Sequence, residues 1–486
     1  MNSVASPAQT PEQRTEWSDT TLGDLADFEM GQAPPGNECN KEGNGTVFVK
    51  AGEFADLYPV EVEWTTKPLK YGRKGDVFIC VVGATAGKLN LGIDCAIGRS
   101  VAAIRPRDGV DTKFIYYQLM PWVLKLRAAS SGSAQGVISK AQLKEVPFKI
   151  APLNQQKHIV AEIEKQFSRL DEAVANLKRV RANLKRYKAA VLKAAVEGRL
   201  VETEAELARK KTPSPLAGEG GGEGASYETG AQLLQRILET RRSRWQGKGK
   251  YKEPATPDTT DLPELPEGWV WSAVEQLSGL VEYGSSAKTS EDSTGIPVLR
   301  MGNIVEGELV FDELKYLPAK HDEFPKLLLE PGDLLFNRTN SPELVGKTAV
   351  FVGSPQKFSF ASYLIRVRLV EGAAPQFLAA YINSSHGRNW VKSVVTQQVG
   401  QANVNGTKLQ ALVVPLPPEL EQQRIVVEID HRLSLVREVE TQVDVNLTRA
   451  ARLRQAVLGR AFSGSLVIAS RKNVYRGLGH EASVKG

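Results

Sequence analysis

The stretch Pro152-Leu153-Asn154-Gln155-Gln156-Lys157 returns later in the chain as Pro418-Glu419-Leu420-Glu421-Gln422-Gln423-Arg424. The two stretches lie about 266 residues apart, and each is followed by an Ile-Val pair and then by Glu-Ile. The match extends to other segments, which pair 75–78 with 332–335, 135–143 with 401–409, and 198–201 with 464–467. The sequence therefore contains an internal duplication. Each copy consists of a segment of mixed character followed by one long helical segment.

The helical segments are predicted from the spacing of their apolar residues, which recur mostly at steps of three, four or seven. In the first segment these are Ile159, Ile163, Phe167, Leu170, Val174, Leu177, Leu184, Tyr187 and Val191, and in the second Ile425, Ile429, Leu433, Val436, Val443, Leu447, Ala450, Leu453 and Val457. Neither proline nor glycine interrupts 154–197 or 419–458. Each helix would be about 60 Å long, and so narrow a stripe must be buried against a partner. The other helix is the obvious partner, and the alternative is that each helix packs on its own domain.

The mixed segments contain short β-prone runs separated by Gly, Pro and Asn, which predicts strands. These runs are 47–49, 76–82, 101–104, 298–300, 333–336, 349–352 and 363–370, and helices are expected over 114–127 and 376–392. The predicted fold class is therefore α+β. Two tandem α+β domains are separated by two long coiled-coil helices, and the chain is a pseudo-two-fold internal repeat.

The domain boundaries follow from this division. We expect a disordered tail over 1–15, a first α+β domain over 16–151, a first long helix over 152–201, a linker over 202–262, a second α+β domain over 263–417, a second long helix over 418–462, and a C-terminal tail over 463–486. The linker contains a Gly- and Pro-rich stretch at 213–224, which is too flexible to order itself, and a short helix within 230–247.

Composition is that of an ordinary soluble protein, with 41% hydrophobic and 24% charged residues and a net charge of +6. The three cysteines, Cys39, Cys80 and Cys95, suit neither a disulfide framework nor a zinc site, which favours a reducing compartment. The polar N-terminus lacks the apolar run of a signal peptide, and the most apolar run, 77–87, is too short to span a membrane. A cytoplasmic protein is expected.

Catalytic and cofactor motifs are missing from the sequence. A phosphate loop needs four residues between its glycines and Ser or Thr after its lysine, whereas Gly83 and Gly87 enclose three residues and Leu89 follows Lys88. In the second copy Gly346-Lys347-Thr348 has the right end, but Ser341 occupies the place of the first glycine. A shared Gly-Lys turn before a strand is the simpler interpretation. The histidines His158, His321, His386, His431 and His480 form no metal-ligand spacing, and neither an Asn-Pro-Pro-aromatic nor a GxGxxG motif is present.

Basic residues cluster near the ends of both long helices, which makes a phosphate backbone or an acidic protein a plausible partner. They are Lys178, Arg179, Arg181, Lys185, Arg186, Lys188, Lys193 and Arg199 in the first helix, opposed only by Glu197, and Arg449, Arg452, Arg454 and Arg460 in the second. The alternative is an ordinary solvated helix face.

Loops rich in hydroxyls and amides lie at 130–135, 337–341 and 396–403, and Gln135 aligns with Gln401 across the repeat. Asn and Gln can pair with adenine through two hydrogen bonds, and Arg can do so with guanine. The alternative is ordinary turn chemistry. The candidate DNA-binding residues are Thr85, Lys88, Arg99, Ser133, Gln135, Arg338, Thr339, Asn340, Lys347, Gln398, Gln401 and Asn403.

Two similar but non-identical reading domains on long helices predict a bipartite, asymmetric DNA site. Half-sites on one face of B-DNA lie about 34 Å apart or a multiple of it. Helices of about 60 Å are long enough to fix such a spacing.

The layout resembles the specificity subunit of type I restriction-modification systems over nearly the full chain. The most specific matches are the helix entrances 152–163 and 416–429, the helix exits 191–201 and 457–467, and the bridge from Lys250-Tyr251-Lys252-Glu253-Pro254 to Leu265-Pro266-Glu267-Gly268-Trp269. Two features depart from the family: Leu153-Asn154-Gln155 lacks the acidic residue usual before the glutamine, and the Gly-rich insert at 213–224 is unusual.

The resemblance implies two target recognition domains separated by an antiparallel pair of long helices. It implies double-stranded DNA, two methyltransferase subunits and restriction subunits as partners, with no membrane. The chain itself would be non-catalytic and carry no cofactor, because S-adenosylmethionine, ATP and Mg would be bound by the partner subunits. The assembled complex would be an adenine-specific DNA methyltransferase and ATP-dependent endonuclease. The alternatives are an orphan or scaffold coiled-coil protein without sequence-specific DNA binding, and a self-sufficient methyltransferase, which the missing motifs disfavour.

Overall fold

The computed structural model describes residues 16–130, 137–211, 227–246, 249–341, 344–398 and 401–463. The chain folds as two compact units. Unit one draws on Met1–Arg179 and Val443–Gly486, and unit two on Val180–Gln442. The division falls inside both long helices, so each unit contains part of each helix.

Unit one begins with a mixed domain. Its strands are β1 (Ser18–Thr21), β2 (Ala26–Met30), β3 (Cys39–Asn40), β4 (Thr46–Val49), β5 (Trp64–Thr65), β6 (Tyr71–Gly72), β7 (Val77–Cys80), β8 (Leu89–Leu91), β9 (Cys95–Ile97), β10 (Val101–Pro106) and β11 (Pro147–Ile150), and its helices are α1 (Leu22–Leu25), α2 (Thr112–Leu119), α3 (Val123–Ser130) and α4 (Lys140–Lys144). The long helix α5 (Leu153–Val196) follows.

Two short helices follow α5, namely α6 (Glu204–Lys211) and α7 (Gly230–Ser243). The strands of unit two are β12 (Val270–Ala273), β13 (Ser278–Tyr283), β14 (Ile296–Leu299), β15 (Ile304–Val305), β16 (Glu308–Leu309), β17 (Lys315–Leu317), β18 (Leu334–Asn337), β19 (Thr339–Asn340), β20 (Thr348–Val350), β21 (Ser359–Phe360), β22 (Leu364–Leu369), β23 (Thr396–Gln398), β24 (Gln401–Asn403) and β25 (Val413–Leu416). Its helices are α8 (Val274–Leu277), α9 (Pro375–Asn383), α10 (Ser385–Val394), α11 (Gly406–Gln410) and the long helix α12 (Glu419–Phe462).

The main sheets of the two units have the same topology. Four antiparallel strands lie in the order β2-β10-β7-β8 in unit one and β13-β22-β18-β20 in unit two. In both units the first strand of the domain pairs with the last, as β1 with β11 and β12 with β25. Each of the seven predicted β-prone runs overlaps a strand. The duplication seen in the sequence is therefore a duplication of structure.

The two long helices have 44 residues each and run antiparallel within each unit. In unit one Arg454 near the end of α12 pairs with Asp171 of α5, and in unit two Lys188 lies 2.7 Å from Glu440. In unit one the start of α5, at Ile163, shares a core with the end of α12, at Leu458. In unit two the end of α5, at Val191, shares a core with the start of α12, at Ile425. The two helices therefore run in opposite directions within each unit. The first helix, predicted to reach residue 201, ends at Val196 because Gly198 adopts a left-handed conformation with φ of 67°.

The ends of the apolar stripe pack on the mixed domains as well as on the partner helix. In unit one Ile163 and Leu458 share a core with Phe114, and in unit two Val191 and Ile425 share one with Trp269. The middle of the α5 stripe, including Val174, Leu177 and Leu184, is only half-buried. The apolar stripe therefore packs partly on the other long helix and partly on the mixed domains, which were the two alternatives from the sequence.

The described part of the linker contains two short helices, although the sequence predicted only one. The predicted helix is α7, and α6 is the additional one. The Gly-rich stretch 213–224 lies outside the described residues. The buried carboxylate of Glu421 accepts hydrogen bonds from the backbone N–H of Glu204, at 2.9 Å, and from Trp269 Nε1, at 2.8 Å. A carboxylate at a helix N-terminus satisfies an otherwise unpaired N–H group and complements the helix dipole. Glu421 therefore anchors both α6 and the start of the second mixed domain.

Burial raises the pKa of the Glu421 carboxyl above the ordinary value of about 4.3, so this residue should give unit two a distinctive pH dependence. The folded state then binds more protons than the unfolded state between the two pKa values, and stability falls as pH rises through that window. We expect a slope of up to about 1.4 kcal/mol per pH unit, which Glu421→Gln abolishes. Urea unfolding followed from pH 4 to pH 7 measures it.

Glu428, on the same helix, is the control. Its hydrogen bond from Arg432 lowers the pKa of its carboxyl, so its contribution has the opposite sign: it is present above the unfolded pKa and lost as pH falls. Glu428→Gln should therefore leave the slope due to Glu421 intact. An unchanged pH profile in Glu421→Gln would contradict the assignment.

Candidate nucleic-acid interface

A turn with the same backbone hydrogen bonds lies beside the main sheet of each unit. We call these the Gly-Lys turns, residues 83–88 and 344–347. In unit one Cys80 N donates to Lys88 O at 2.8 Å and Gly87 N to Cys80 O at 2.7 Å. In unit two Asn337 N donates to Lys347 O at 2.9 Å and Gly346 N to Asn337 O at 2.7 Å. Both turns lead into strands, β8 and β20, whereas a phosphate loop leads into a helix.

An arginine from the following helix holds each turn. Arg127 Nε of α3 donates to Ala86 O at 3.0 Å, and Arg388 Nη1 of α10 donates to Val345 O at 2.6 Å. The sequence analysis missed both arginines. Aligning the two copies downstream of the turns would have found them, because the pair recurs at nearly the same spacing.

The glycines of the turns are required by close packing on the same helices. Gly87 and Gly346 adopt φ values of 90° and 82°. A Cβ atom on Gly87 would lie 2.7 Å from Val123 Cγ1, and one on Gly346 would lie 2.5 Å from Val391 Cγ2. Both a left-handed backbone and the absence of a side chain are needed here, which glycine alone supplies.

In unit two the structure brings most of the predicted DNA-binding residues together. The three strands β19, β24 and β23 form one antiparallel sheet. Within it Thr339 lies opposite Asn403, and Gln398 lies opposite Gln401. Asn340 belongs to the same sheet, Arg338 precedes it, and Lys347 bonds to the preceding strand through Asn337.

In unit one fewer of the predicted residues can be placed in one site. Thr85 and Lys88 lie in the Gly-Lys turn, and the Lys88 ammonium donates a hydrogen bond to the carbonyl of Phe54. That contact ties Lys88 to its own domain. Arg99 is exposed in the separate turn before β10. Ser133 and Gln135 lie outside the described residues.

Ion pairs neutralise part of the basic cluster that the sequence predicts. Lys188 pairs with Glu306 at 2.6 Å and with Glu440 at 2.7 Å. Arg199 pairs with Glu197, and Arg454 pairs with Asp171. The sequence showed Glu197 as the only opposing charge because the other carboxylates are distant along the chain. Lys185 and Arg186 remain exposed on α5.

The described part of the chain lacks two other kinds of feature. No group of three His, Cys, Asp or Glu residues there could hold a metal ion. None of the helices there combines the length and the apolarity that a membrane crossing requires. The predicted residues that the structure does bring together are polar and lie in, or next to, the sheet β19-β24-β23.

Comparison with known proteins points to one family. The model of the type I restriction modification DNA specificity domain matches residues 14–186 and 266–442. The EcoKI specificity subunit of Escherichia coli K12 is 26% identical over 390 residues, which are 79% of this chain and 72% of that protein. The StySPI specificity subunit of Salmonella potsdam is 23% identical over the same shares of both chains.

A solved structure supports the fold. A chain from a study of complex assembly and conformational transition of the type I restriction-modification system superposes with a TM-score of 0.62 at 16% identity, covering 93% of this chain and 99% of that one. The two matches of the family model each take in one mixed domain and the part of a long helix that follows it. The chain therefore belongs to the family of type I restriction-modification DNA specificity proteins.

Proposed function

We propose that this chain is the DNA-binding specificity subunit of a type I restriction-modification complex. Unit one reads one half of a bipartite, asymmetric DNA site and unit two reads the other. The observation that carries this proposal is the duplicated frame, the Gly-Lys turn with its bracing arginine, around which the two units present different side chains. Identical frames with different side chains are what two readers of different half-sites require.

The antiparallel helices fix the distance between half-sites and dock two methyltransferase subunits in this proposal. Leu420, Val427 and Leu435 lie along one face of α12 with exposed fractions of 61%, 68% and 52%. A partner subunit that covers this part of α12 would bury these apolar side chains together with His431, which lies between them on the same face. The chain is non-catalytic in this proposal. S-adenosylmethionine, ATP and Mg are bound by the methyltransferase and restriction subunits, and the complex methylates adenine and cuts DNA.

The direct test is a map of methylated adenine in cells that carry the chain with its methyltransferase subunits and in cells from which the chain alone is deleted. We expect one split, asymmetric motif to lose methylation on deletion. If no motif changes although the chain co-purifies with methyltransferase subunits, it is an orphan or scaffold protein. A scaffold would also lose DNA binding at modest salt and show no sequence preference.

The bracing arginines should act on one half-site each. Arg127→Met and Arg388→Met remove the hydrogen bond to the carbonyl of the Gly-Lys turn while keeping an apolar stem of similar length. We expect Arg127→Met to weaken binding of the assembled complex to the first half-site, and Arg388→Met to the second, by about tenfold, the equivalent of one net hydrogen bond. Binding to DNA with one half-site randomised measures each effect. An equal loss of binding at both half-sites in either variant would contradict the proposal that each unit reads one half-site.

A further inference from the structure

One position in the duplicated frame has the same backbone contacts in both units but very different side chains. Arg338 N donates to Tyr363 O at 3.0 Å, and Arg338 O accepts from Val404 N at 2.9 Å. In unit one Val81 N donates to Ser100 O at 2.8 Å, and Val81 O accepts from Ile138 N at 2.8 Å. Arg338 and Val81 are therefore structurally equivalent.

The side chains around this position have changed as a group. Tyr283 lies opposite Ile365 at the end of β13, and Met30 lies opposite Ala102 at the end of β2. Valine, serine and methionine in unit one thus correspond to arginine and two tyrosines in unit two. Val81 is buried in the core, whereas Tyr283 and Tyr363 are 43% and 49% exposed. The fold is maintained without the arginine and the tyrosines, so their role lies elsewhere.

The guanidinium group of Arg338 is held in a fixed plane. Its centre lies 4.8 Å from the centroid of the Tyr283 ring, and its Nη1 donates to Ser362 O at 3.2 Å. The Tyr283 hydroxyl accepts a hydrogen bond from Gly406 N, the first residue of α11, at 2.7 Å. Because the Tyr283 ring is itself anchored, stacking on it orients the planar guanidinium group of Arg338 before any ligand binds.

One edge of this guanidinium group has a hydrogen-bond donor without an acceptor in the described part of the chain. Nε of Arg338 is buried and has no hydrogen-bond partner among the described residues, while the bond to Ser362 O uses Nη1, the nitrogen on the other side of the guanidinium. A buried donor without a partner is unfavourable unless a ligand supplies the acceptor. Nε and Nη2 together form the pair of parallel N–H groups that arginine uses to bind planar acceptors with two hydrogen bonds.

We propose that Arg338, oriented by Tyr283, recognises a guanine in the half-site read by unit two. Guanine presents two adjacent acceptors, O6 and N7, in the major groove, and arginine pairs with them through two hydrogen bonds. The position lies next to β19, whose Thr339 pairs with Asn403 of the sheet that gathers the other candidate residues. Val81 at the equivalent position offers no hydrogen bond, so unit one lacks this contact. The inference rests on the proposed function and adds the base and the residue that reads it.

The test is a binding selection from randomised DNA with the assembled complex, comparing the wild-type chain with Arg338→Ala and Arg338→Lys. We expect a guanine at one position of the second half-site in the wild type, and a loss of about 10- to 100-fold in its preference in both variants. Lysine keeps the positive charge but lacks the two parallel N–H donors of arginine, so Arg338→Lys should retain more non-specific affinity for DNA than Arg338→Ala. The first half-site should be unchanged.

Variants of Tyr283 separate orientation from folding. Tyr283→Phe keeps the stacking ring but loses its anchor to Gly406 N, so it should lower the guanine preference less than Tyr283→Ala does. Thermal unfolding of each variant shows whether it is folded. Unchanged base preference at every position in both Arg338 variants would overturn the proposal, and so would a loss spread evenly over all positions, which marks a phosphate contact. A wild-type complex that selects no bipartite sequence would instead refute the proposed function itself.

Discussion

Substituting Asp333 by asparagine is expected to lower the free energy of unfolding of unit two by about 3–5 kcal/mol. Asp333 is 1% exposed and receives two hydrogen bonds from Arg368, at 2.7 and 2.8 Å. It also lies 3.4 Å from the guanidinium of Arg366, which is itself buried. Asparagine fills the same space but removes the negative charge, so a buried arginine loses much of its compensation.

The equivalent aspartate of unit one is a matched comparison. Asp76 is also buried and receives two hydrogen bonds from Arg105, at 3.0 and 2.9 Å. However, the position of Arg366 is occupied in unit one by Ala103, which lies opposite Phe78 as Arg366 lies opposite Leu335. Asp76→Asn therefore leaves no deeply buried charge behind and should cost about 1.5–3 kcal/mol, the range for hydrogen bonds to a charged group.

Urea unfolding with hydrogen exchange of the main-sheet amides distinguishes the two units, since a chain of two units need not unfold in a single transition. Adding Arg366→Met to Asp333→Asn should recover part of the loss, because it removes the uncompensated charge while filling the core. Equal costs for Asp333→Asn and Asp76→Asn would show that Arg366 does not depend on Asp333. Glu282, which also pairs with Arg366, would then be its sufficient partner.

The sequence predicted the parts of the fold that depend on periodic patterns. The long helices follow from apolar spacing, and the equivalence of the two mixed domains follows from the repeat. By contrast, α6 was missed although it has a local signal, because Thr203 and Glu206 form a capping box at its start. Its position also depends on contacts that the sequence does not reveal, since Glu204 is held by Glu421 and Arg424, more than two hundred residues away. The acidic residue at position 421 is explained by this contact, since Glu421 accepts a hydrogen bond from the start of the helix that follows α5.

The candidate site was predictable by residue type but not by arrangement. The polar residues of 337–341 and 396–403 were singled out, yet their pairing in one sheet depends on register, which the sequence does not reveal. Lys88 was among the predicted DNA-binding residues, whereas its ammonium is bound by the carbonyl of Phe54. Arg127 and Arg388 were missed because each acts on a turn some 40 residues earlier, and a lone arginine on a helix has no distinctive pattern.

The glutamines at the starts of the long helices should give the second large effect. Gln422 is buried, its Oε1 accepts from Ala374 N at 2.8 Å, and its Nε2 donates to Pro417 O at 2.9 Å and Gly372 O at 3.3 Å. Gln156 makes the same three contacts in unit one, with Asp111 N, Ala151 O and Gly109 O. In unit two this N–H belongs to Ala374, the N-cap residue of α9, and in unit one it belongs to Asp111, the N-cap residue of α2.

Gln422→Ala leaves one buried carbonyl, one half-buried carbonyl and one half-buried N–H without this partner, so we expect a loss of about 2–4 kcal/mol in the free energy of unfolding of unit two. Gln156→Ala should do the same to unit one. Gln423, which follows in the sequence but is exposed, is the control, and Gln423→Ala should change stability by less than about 0.5 kcal/mol.

Glutamate distinguishes hydrogen bonding from the filling of space at this position. Gln422→Glu preserves volume and the acceptor for Ala374 N, but it turns an acceptor towards the carbonyls of Pro417 and Gly372 and buries a charge. It should therefore be at least as destabilising as Gln422→Ala near neutral pH and should recover as the carboxyl is protonated at lower pH. Because α9 leads into α10, which carries Arg388, the same variant should weaken reading of the second half-site more than the first. A Gln422→Glu chain as stable as the wild type at neutral pH would show that the glutamine fills space without joining the helix to the domain.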